Sequence, residues 1–219
     1  MPHALRRAER VPIKNNLRHN TLDELVNEET LAAGTGDYPH KDDIAVLWPL
    51  AQALFEKRQV ARAGYGLKRE VQRNTDYNFY VEGEHVTITP RRRGSPLDLI
   101  VSELAILANS TWGAFLHDHT VPGIYHSQRG FGAPGPKRTR MQTTAAPHEG
   151  LGVAQYAWST SPLRRYVDLV NQWQIIACAR HGKTAAQVAL RWQVQQPGVV
   201  TLSKTAKTQR LPENLAIFD

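Results

Sequence analysis

Cysteine is almost missing from this chain: Cys178 is the only one in 219 residues. A single thiol can build neither an intrachain disulfide framework nor a zinc cluster. Long apolar runs are missing too. No stretch approaches the ~20 residues that a bilayer span needs, and the N-terminus has no signal-peptide core, so a soluble cytoplasmic monomer with no membrane partner is the expectation. What is present suits a packed globule: 41% of residues are hydrophobic and 21% charged. The length allows one good core or two small ones. Lys and Arg total 27 against 20 acidic residues, a net charge of +7. That surplus favours polyanionic partners through counterion release.

Taken in order, residues 1–20 are basic and mixed, and are expected to be poorly ordered. Leu22, Leu25 and Val26 lie on one face of a short helix predicted over Asp23 to Leu31, stopped by Gly34, Gly36 and Pro39. Asp42 and Asp43 precede Ile44, Leu47, Leu50, Ala51 and Leu54, a helix running to about Ala61. Paired aspartates suit a magnesium ion, but next to a helix start they also suit the free N–H groups and the dipole. Residues 77–81 and 85–89 alternate around Glu82-Gly83-Glu84 and predict a β-hairpin. Arg91-Arg92-Arg93 follows, either a solvated basic turn or a source of non-specific phosphate contacts. Ser95-Pro96 opens a long helix, with Asp98 at the capping-box position. Its apolar stripe is Leu97, Ile100, Val101, Leu104, Leu107, Ala108, Thr111 and Phe115, which leaves Glu103 and Asn109 as polar residues on an exposed flank. His117 and His119 fit either a metal pair on a strand or the negative end of this helix. Residues 130–150, rich in Gly and Pro and carrying Lys137, Arg138 and Arg140, read as a loop. Such a loop could drape over an RNA backbone with Phe131 stacking on a base, or be plain surface.

The stretch Gln155 to Asn171 carries the clearest chemical signal. Ser161-Pro162 has the form of a capped helix start, with Leu163, Tyr166, Val170, Trp173 and Ala177 as its buried stripe. Arg164 and Arg165 then fall in the first turn, where a cation costs roughly 0.3–1 kcal/mol against the helix dipole. Two guanidinium groups beside free N–H groups make a site for a phosphate or another anion. The alternative is that Asp168 pairs with both. The helix is expected to end at His181-Gly182.

These motifs resemble a known family. Thr-Ser-Pro-Leu-Arg-Arg-Tyr-x-Asp-Leu, beginning at Thr160, is similar to the signature of the RNB exoribonucleases, the ribonuclease II and ribonuclease R type. Leu99 to Asn109 and Val121 to Tyr125 resemble further blocks of that family in the right order. The resemblance spans residues 10–181. It implies a mixed α/β (α+β) fold: an incomplete RNB catalytic domain dominated by long helices with a β-hairpin. It also implies 3′→5′ hydrolysis of single-stranded RNA, with Arg164 and Arg165 at the phosphate and Glu103, near the nucleotide sugar, in contact with RNA. Asn109, Ser161, Tyr166, Lys137 and Arg138 are further RNA-contact candidates. The family's magnesium ions are held by an aspartate cluster, and no Asp-x-Asp-Asp-like run occurs here except Asp42-Asp43, whose context at a helix start is wrong for it. Weak or absent nuclease activity is therefore expected, which makes a non-catalytic RNA-binding remnant the alternative.

Residues 182–219 resemble something else, the late part of an aldo-keto reductase barrel, with a short helix-strand-helix pattern. Lys204, Thr205, Arg210, Glu213 and Asn214 are similar to the groups that hold the adenosine end of NADP there. So short a piece cannot close an eight-stranded barrel, so NADP binding by this tail is not expected. The chain thus divides at 20 and near His181, and helices cut off from their usual partners carry a risk of aggregation.

Overall fold

A computed structural model describes residues 22–71, 75–130, 138–198 and 207–217, together with isolated positions 10, 12, 13, 15 and 17. Six helices and two antiparallel hairpins make up the described fold, a mixed α/β architecture. They are α1 (Glu28–Ala33), α2 (Lys41–Gly64), β1 (Thr75–Glu82), β2 (His85–Arg92), α3 (Pro96–Asp118), β3 (Tyr125–Arg129), β4 (Arg138–Gln142), α4 (Tyr166–His181), α5 (Ala185–Val194) and α6 (Leu211–Leu215).

Local chemistry explains most of the boundaries. Asn27 caps α1 by accepting from the Thr30 N–H, while Thr30 Oγ1 receives the Asn27 N–H. This reciprocal cap starts the helix five residues later than the apolar spacing predicts. No side chain caps α2; Asp42 and Asp43 sit in its first turn, where they suit the dipole, and Asp43 also lies 3.0 Å from His40 Nδ1. Ser95 caps α3 through the Asp98 N–H and Pro96 opens it, as expected. The Asp98 carboxylate, however, accepts from Gly94 N–H and pairs with Arg91. Gly182 ends α4 at φ 63°. The β1–β2 hairpin closes on Gly83-Glu84, with Gly83 at φ 62° supplying the positive dihedral that a two-residue hairpin turn needs.

Two apolar clusters lie along α3. Leu22, Val26, Tyr38, Ile44, Ala51, Leu97 and Ile100 join its first half to α2. Phe115, Leu116, Val121, Ile175 and Cys178 join its far end to α4. By length and composition α3 would be able to cross a membrane, but here it is the central packing element, contacting both α2 and α4. The buried stripe differs from the expected one. It runs through Leu97, Ile100, Glu103, Ile106, Asn109, Gly113 and Leu116, leaving Val101 and Leu107 exposed. Glu103 and Asn109 therefore do not lie on an exposed flank. Both are buried, because each has its polar atoms satisfied inside the fold. His119 follows α3 as its C-cap, its Nδ1 2.9 Å from the Phe115 carbonyl. That fits the helix-end reading.

Candidate functional site

The segment from Tyr156 to Arg165 has little regular structure, and buried polar side chains hold it in place. Asn109, fully buried on α3, accepts from the Ser159 N–H at 2.8 Å and the Ser159 hydroxyl at 2.9 Å. Its Nδ2 donates to Tyr156 Oη at 3.1 Å and Thr160 Oγ1 at 3.3 Å. Asn171, fully buried on α4, accepts from the Ile124 N–H at 2.8 Å and donates to the Ile124 and Trp158 carbonyls. Gln172 donates to the Ser159 carbonyl at 2.7 Å. Each bond satisfies a group that burial would otherwise penalise by about 1–3 kcal/mol. The segment is therefore fixed.

This anchoring overturns the expected helix start. Ser161 and Pro162 do not open α4; they begin a turn in which the Arg164 and Arg165 N–H groups donate to the Ser161 carbonyl. The helix begins only at Tyr166, with Arg165 as its uncapped N-cap. The Ser161 N–H is already taken at 2.8 Å by Asp168, which is fully buried. Of the expected stripe, Ala177 is buried and Val170 half-buried, but the rest fails. Leu163, Tyr166 and Trp173 are exposed, while α4 buries Asp168, Asn171, Ile175, Ala177 and Cys178.

The two arginines part company here. Arg165 grips Asp168 through Nε at 2.7 Å and Nη2 at 2.8 Å, and its guanidinium lies 4.4 Å from the Trp158 ring centroid. It is a positioning residue, not a group free to meet a substrate. Arg164 is exposed, and its guanidinium makes a 3.4 Å contact with Ser161 Oγ. Tyr166 is exposed beside it. Arg164 is thus the cation this turn presents.

Glu103 is placed otherwise than the resemblance implies. It is 1% exposed and bound by both Nε and Nη2 of Arg58, the Nε contact being 2.8 Å. Arg58 also donates to the Leu151 carbonyl at 2.7 Å. Burial works against its charge, but the Glu103 and Glu70 carboxylates outweigh that and raise its pKa. A carboxylate so engaged serves packing and is not offered to a sugar. Asn109, likewise buried, has the anchoring role given above. Next to the pair, Gly152 ends a short turn at φ 70°, and a Cβ there would lie 2.5 Å from the Arg58 carbonyl oxygen. Only glycine fits that approach.

Sequence reasoning missed Arg58, Asn171 and a stacked series of rings. Trp158 stacks on His126 at 4.5 Å, and His126 lies 5.1 Å from His148. Burial, and then the neighbouring His126, depress the His148 pKa to about 4; burial and then Arg165 depress that of His126. Asn171 had a usable signal, three residues past Asp168. The histidines had none.

Lys137, Lys204 and Thr205, and the side chain of Arg138, lie outside the described residues. So do Phe131 and the strand expected after Gly198. In the tail, Arg210 is exposed in a short 3-10 turn, and Glu213 and Asn214 are half-buried on α6. The Glu213 carbonyl accepts from Gln187, and Lys183 donates to the Ala216 carbonyl at 2.8 Å. Among the described residues, no group of three His, Cys, Asp or Glu side chains is gathered so as to hold a metal ion. These residues do not fit the magnesium centre that the resemblance implies.

Comparison with known proteins bears on this turn directly, because residues 136–181 match the model of the RNB domain. The matched stretch begins before β4 and ends with α4, so it contains the Arg164 turn and its anchors Asp168, Asn171 and Gln172, but not Asn109 on α3. A ribonuclease of Synechocystis is 30% identical over 101 residues, 37% of this chain and 15% of that protein. The fold is similar to that of an active-site mutant of the Dss1 exoribonuclease from Candida glabrata, with a TM-score of 0.54 at 20% identity over 71% of this chain and 23% of that one. Reductases are also found. A glyoxal reductase of Bacillus subtilis is 42% identical over 71 residues, 32% of this chain and 25% of that enzyme. An aldo-keto reductase of a Mycobacterium species is 38% identical over 72 residues. The chain spans a quarter or less of each of these proteins.

Proposed function

We propose that this chain binds single-stranded RNA through the RNB segment and does not hydrolyse it unaided. The observation that carries this reading is the division of labour at the turn. Asp168 and Trp158 immobilise Arg165, which leaves the neighbouring Arg164 exposed on a rigid support with Tyr166 at its side. A guanidinium held outward by a fixed turn suits a phosphodiester oxygen, and an exposed tyrosine ring suits a base. The family-level chemistry is phosphodiester hydrolysis of RNA from the 3′ end. In-line attack on a phosphodiester draws on positioning and on charge stabilisation. The described residues offer the second through Arg164, and no metal-holding carboxylates for the first.

The test is a labelled single-stranded oligoribonucleotide titrated with the purified chain across a salt series, with and without magnesium. Binding that weakens steeply with salt, with the oligonucleotide left intact, is expected. Progressive 3′ shortening dependent on magnesium would overturn the non-hydrolytic half, and no binding at low salt would overturn the rest. A second reading, a piece of an NADP-dependent aldo-keto reductase, is favoured by the reductase relatives. It ranks lower because α5 and α6 are packed on each other, with Gln187, Lys183 and Arg191 spent on backbone carbonyls of 213–217. Titration with NADP, followed by the fluorescence of exposed Trp192, separates the two.

A further inference from the structure

We infer that a second phosphate-binding surface lies on the β3–β4 hairpin, built on Arg129 and Arg140, and that its occupant is the backbone of the same single-stranded RNA. A cleft of about 530 Å³ opens on this hairpin, lined by Ser127, Arg129, Arg140, Gln142 and Thr144 and by no acidic residue. The antiparallel register sets Ser127 opposite Arg140 and Arg129 opposite Arg138. Because side chains alternate along a strand, Ser127 and Arg129 share one face of β3. Arg140, directly across from Ser127, belongs to that same face, diagonal to Arg129 at about 7–8 Å.

Like charges set across a ladder destabilise it, and nothing among the described residues relieves them. Five other arginines of the described fold are paired with carboxylates: Arg91 with Asp23 and Asp98, Arg93 with Asp76, Arg69 with Glu56, Arg58 with Glu103, Arg165 with Asp168. Arg129 and Arg140 are exposed, and no carboxylate among the described residues pairs with them. The floor of the cleft is the buried Ser127, whose hydroxyl donates to the Arg140 carbonyl. The missing counter-charge is therefore external, and a forked pair of guanidinium groups over a polar floor suits phosphate oxygens. The occupant is a strand of RNA because Arg140, on β4, belongs to the same RNB-matched stretch, residues 136–181, as Arg164. That step rests on the function proposed above.

This surface is separate from the Arg164 turn. His126 points from the opposite face of β3 and stacks on Trp158, next to Arg165. The two basic positions can therefore be changed independently.

The experiment measures binding of a labelled single-stranded oligoribonucleotide against salt for the wild-type chain, Arg129→Gln/Arg140→Gln, Arg129→Lys/Arg140→Lys and Arg164→Ala, with inorganic tripolyphosphate as a second probe. The glutamine pair should lower the slope of log K against log salt by about 0.7 per lost phosphate contact, and the lysine pair should leave it close to wild type. Tripolyphosphate binding should weaken at least about tenfold in the glutamine pair. Circular dichroism checks that each variant is folded. An unchanged slope in the glutamine pair, with binding still weakened by Arg164→Ala, overturns the second surface and leaves the proposed function standing. If the wild type binds tripolyphosphate but no oligonucleotide, RNA is overturned as the occupant and the proposed function falls with it.

Discussion

Removing one half of the Arg58–Glu103 pair while leaving the other is the sharpest test of what Glu103 does. Both side chains are almost wholly buried, Arg58 at 6% exposure and Glu103 at 1%. Breaking such a pair from one side strands a charge in the interior and costs about 3–5 kcal/mol. Arg58→Met removes both donors from Glu103 and should fall at the upper end. Glu103→Leu leaves Arg58 its bond to the Leu151 carbonyl and a 3.5 Å contact with Glu70, so it should fall near the lower end. The double variant Arg58→Met/Glu103→Leu replaces the pair with apolar groups of similar size and should lie within about 1 kcal/mol of the wild type. The two single effects then fail to add, by several kcal/mol of coupling. Urea unfolding followed by circular dichroism reads this directly. With a slope of about 2 kcal/mol/M, a loss of 4 kcal/mol moves the midpoint by about 2 M. The reasoning is refuted if Glu103→Leu costs less than about 1 kcal/mol and instead weakens oligoribonucleotide binding. Glu103 would then be a contact and not a brace.

At the turn, Arg164→Ala should leave stability within about 0.5 kcal/mol of wild type while lowering the salt slope of RNA binding by about 0.7, as read by a binding titration. Asp168→Ala should instead cost about 3 kcal/mol or more in urea unfolding, because it strands the Ser161 N–H and the Arg165 guanidinium together. Acid should weaken the fold through His148. Its pKa is about 4 in the folded chain against about 6.5 unfolded, so the unfolded state takes up the proton first as pH falls. The stability from neutral His148 is complete above about pH 6.5 and declines as the pH drops toward 4. Comparing unfolding midpoints at pH 7 and pH 5 should show a loss of about 2 kcal/mol in the wild type that is smaller in His148→Phe.

Elements whose boundaries follow from neighbouring residues were legible in the sequence: the Ser95-Pro96 start of α3, the Gly83 turn, the Gly182 stop. Each is a local arrangement. The faces of the long helices were not, because polar residues carry part of the burial. Hydrophobic spacing cannot reveal that Glu103 is inside when its partner Arg58 lies 45 positions away. Nor can it reveal that Asn109 anchors Ser159, 50 positions on. The same limit explains the misread start of α4. Ser161-Pro162 has the form of a cap, and only the claim of Asp168 on the Ser161 N–H, enforced from α3, turns it into something else. The basic turn itself was visible as Arg164-Arg165, and so was the chance that Asp168 would take them. That Asp168 takes Arg165 and leaves Arg164 depends on the stacking of Arg165 against Trp158, a contact set by the fold.

The bare backbone at Gly152 ties distant parts of the chain together. Any side chain there meets the main chain of α2 at Arg58, not some yielding tip. A methyl group would push the 149–151 turn off the helix, pull the Leu151 carbonyl from Arg58, and so reach Glu103 through its partner Arg58. Twelve residues downstream sits Arg164. One added carbon atom, far from any phosphate, would therefore slacken both the central helix pair and the ground on which the outward-facing guanidinium stands.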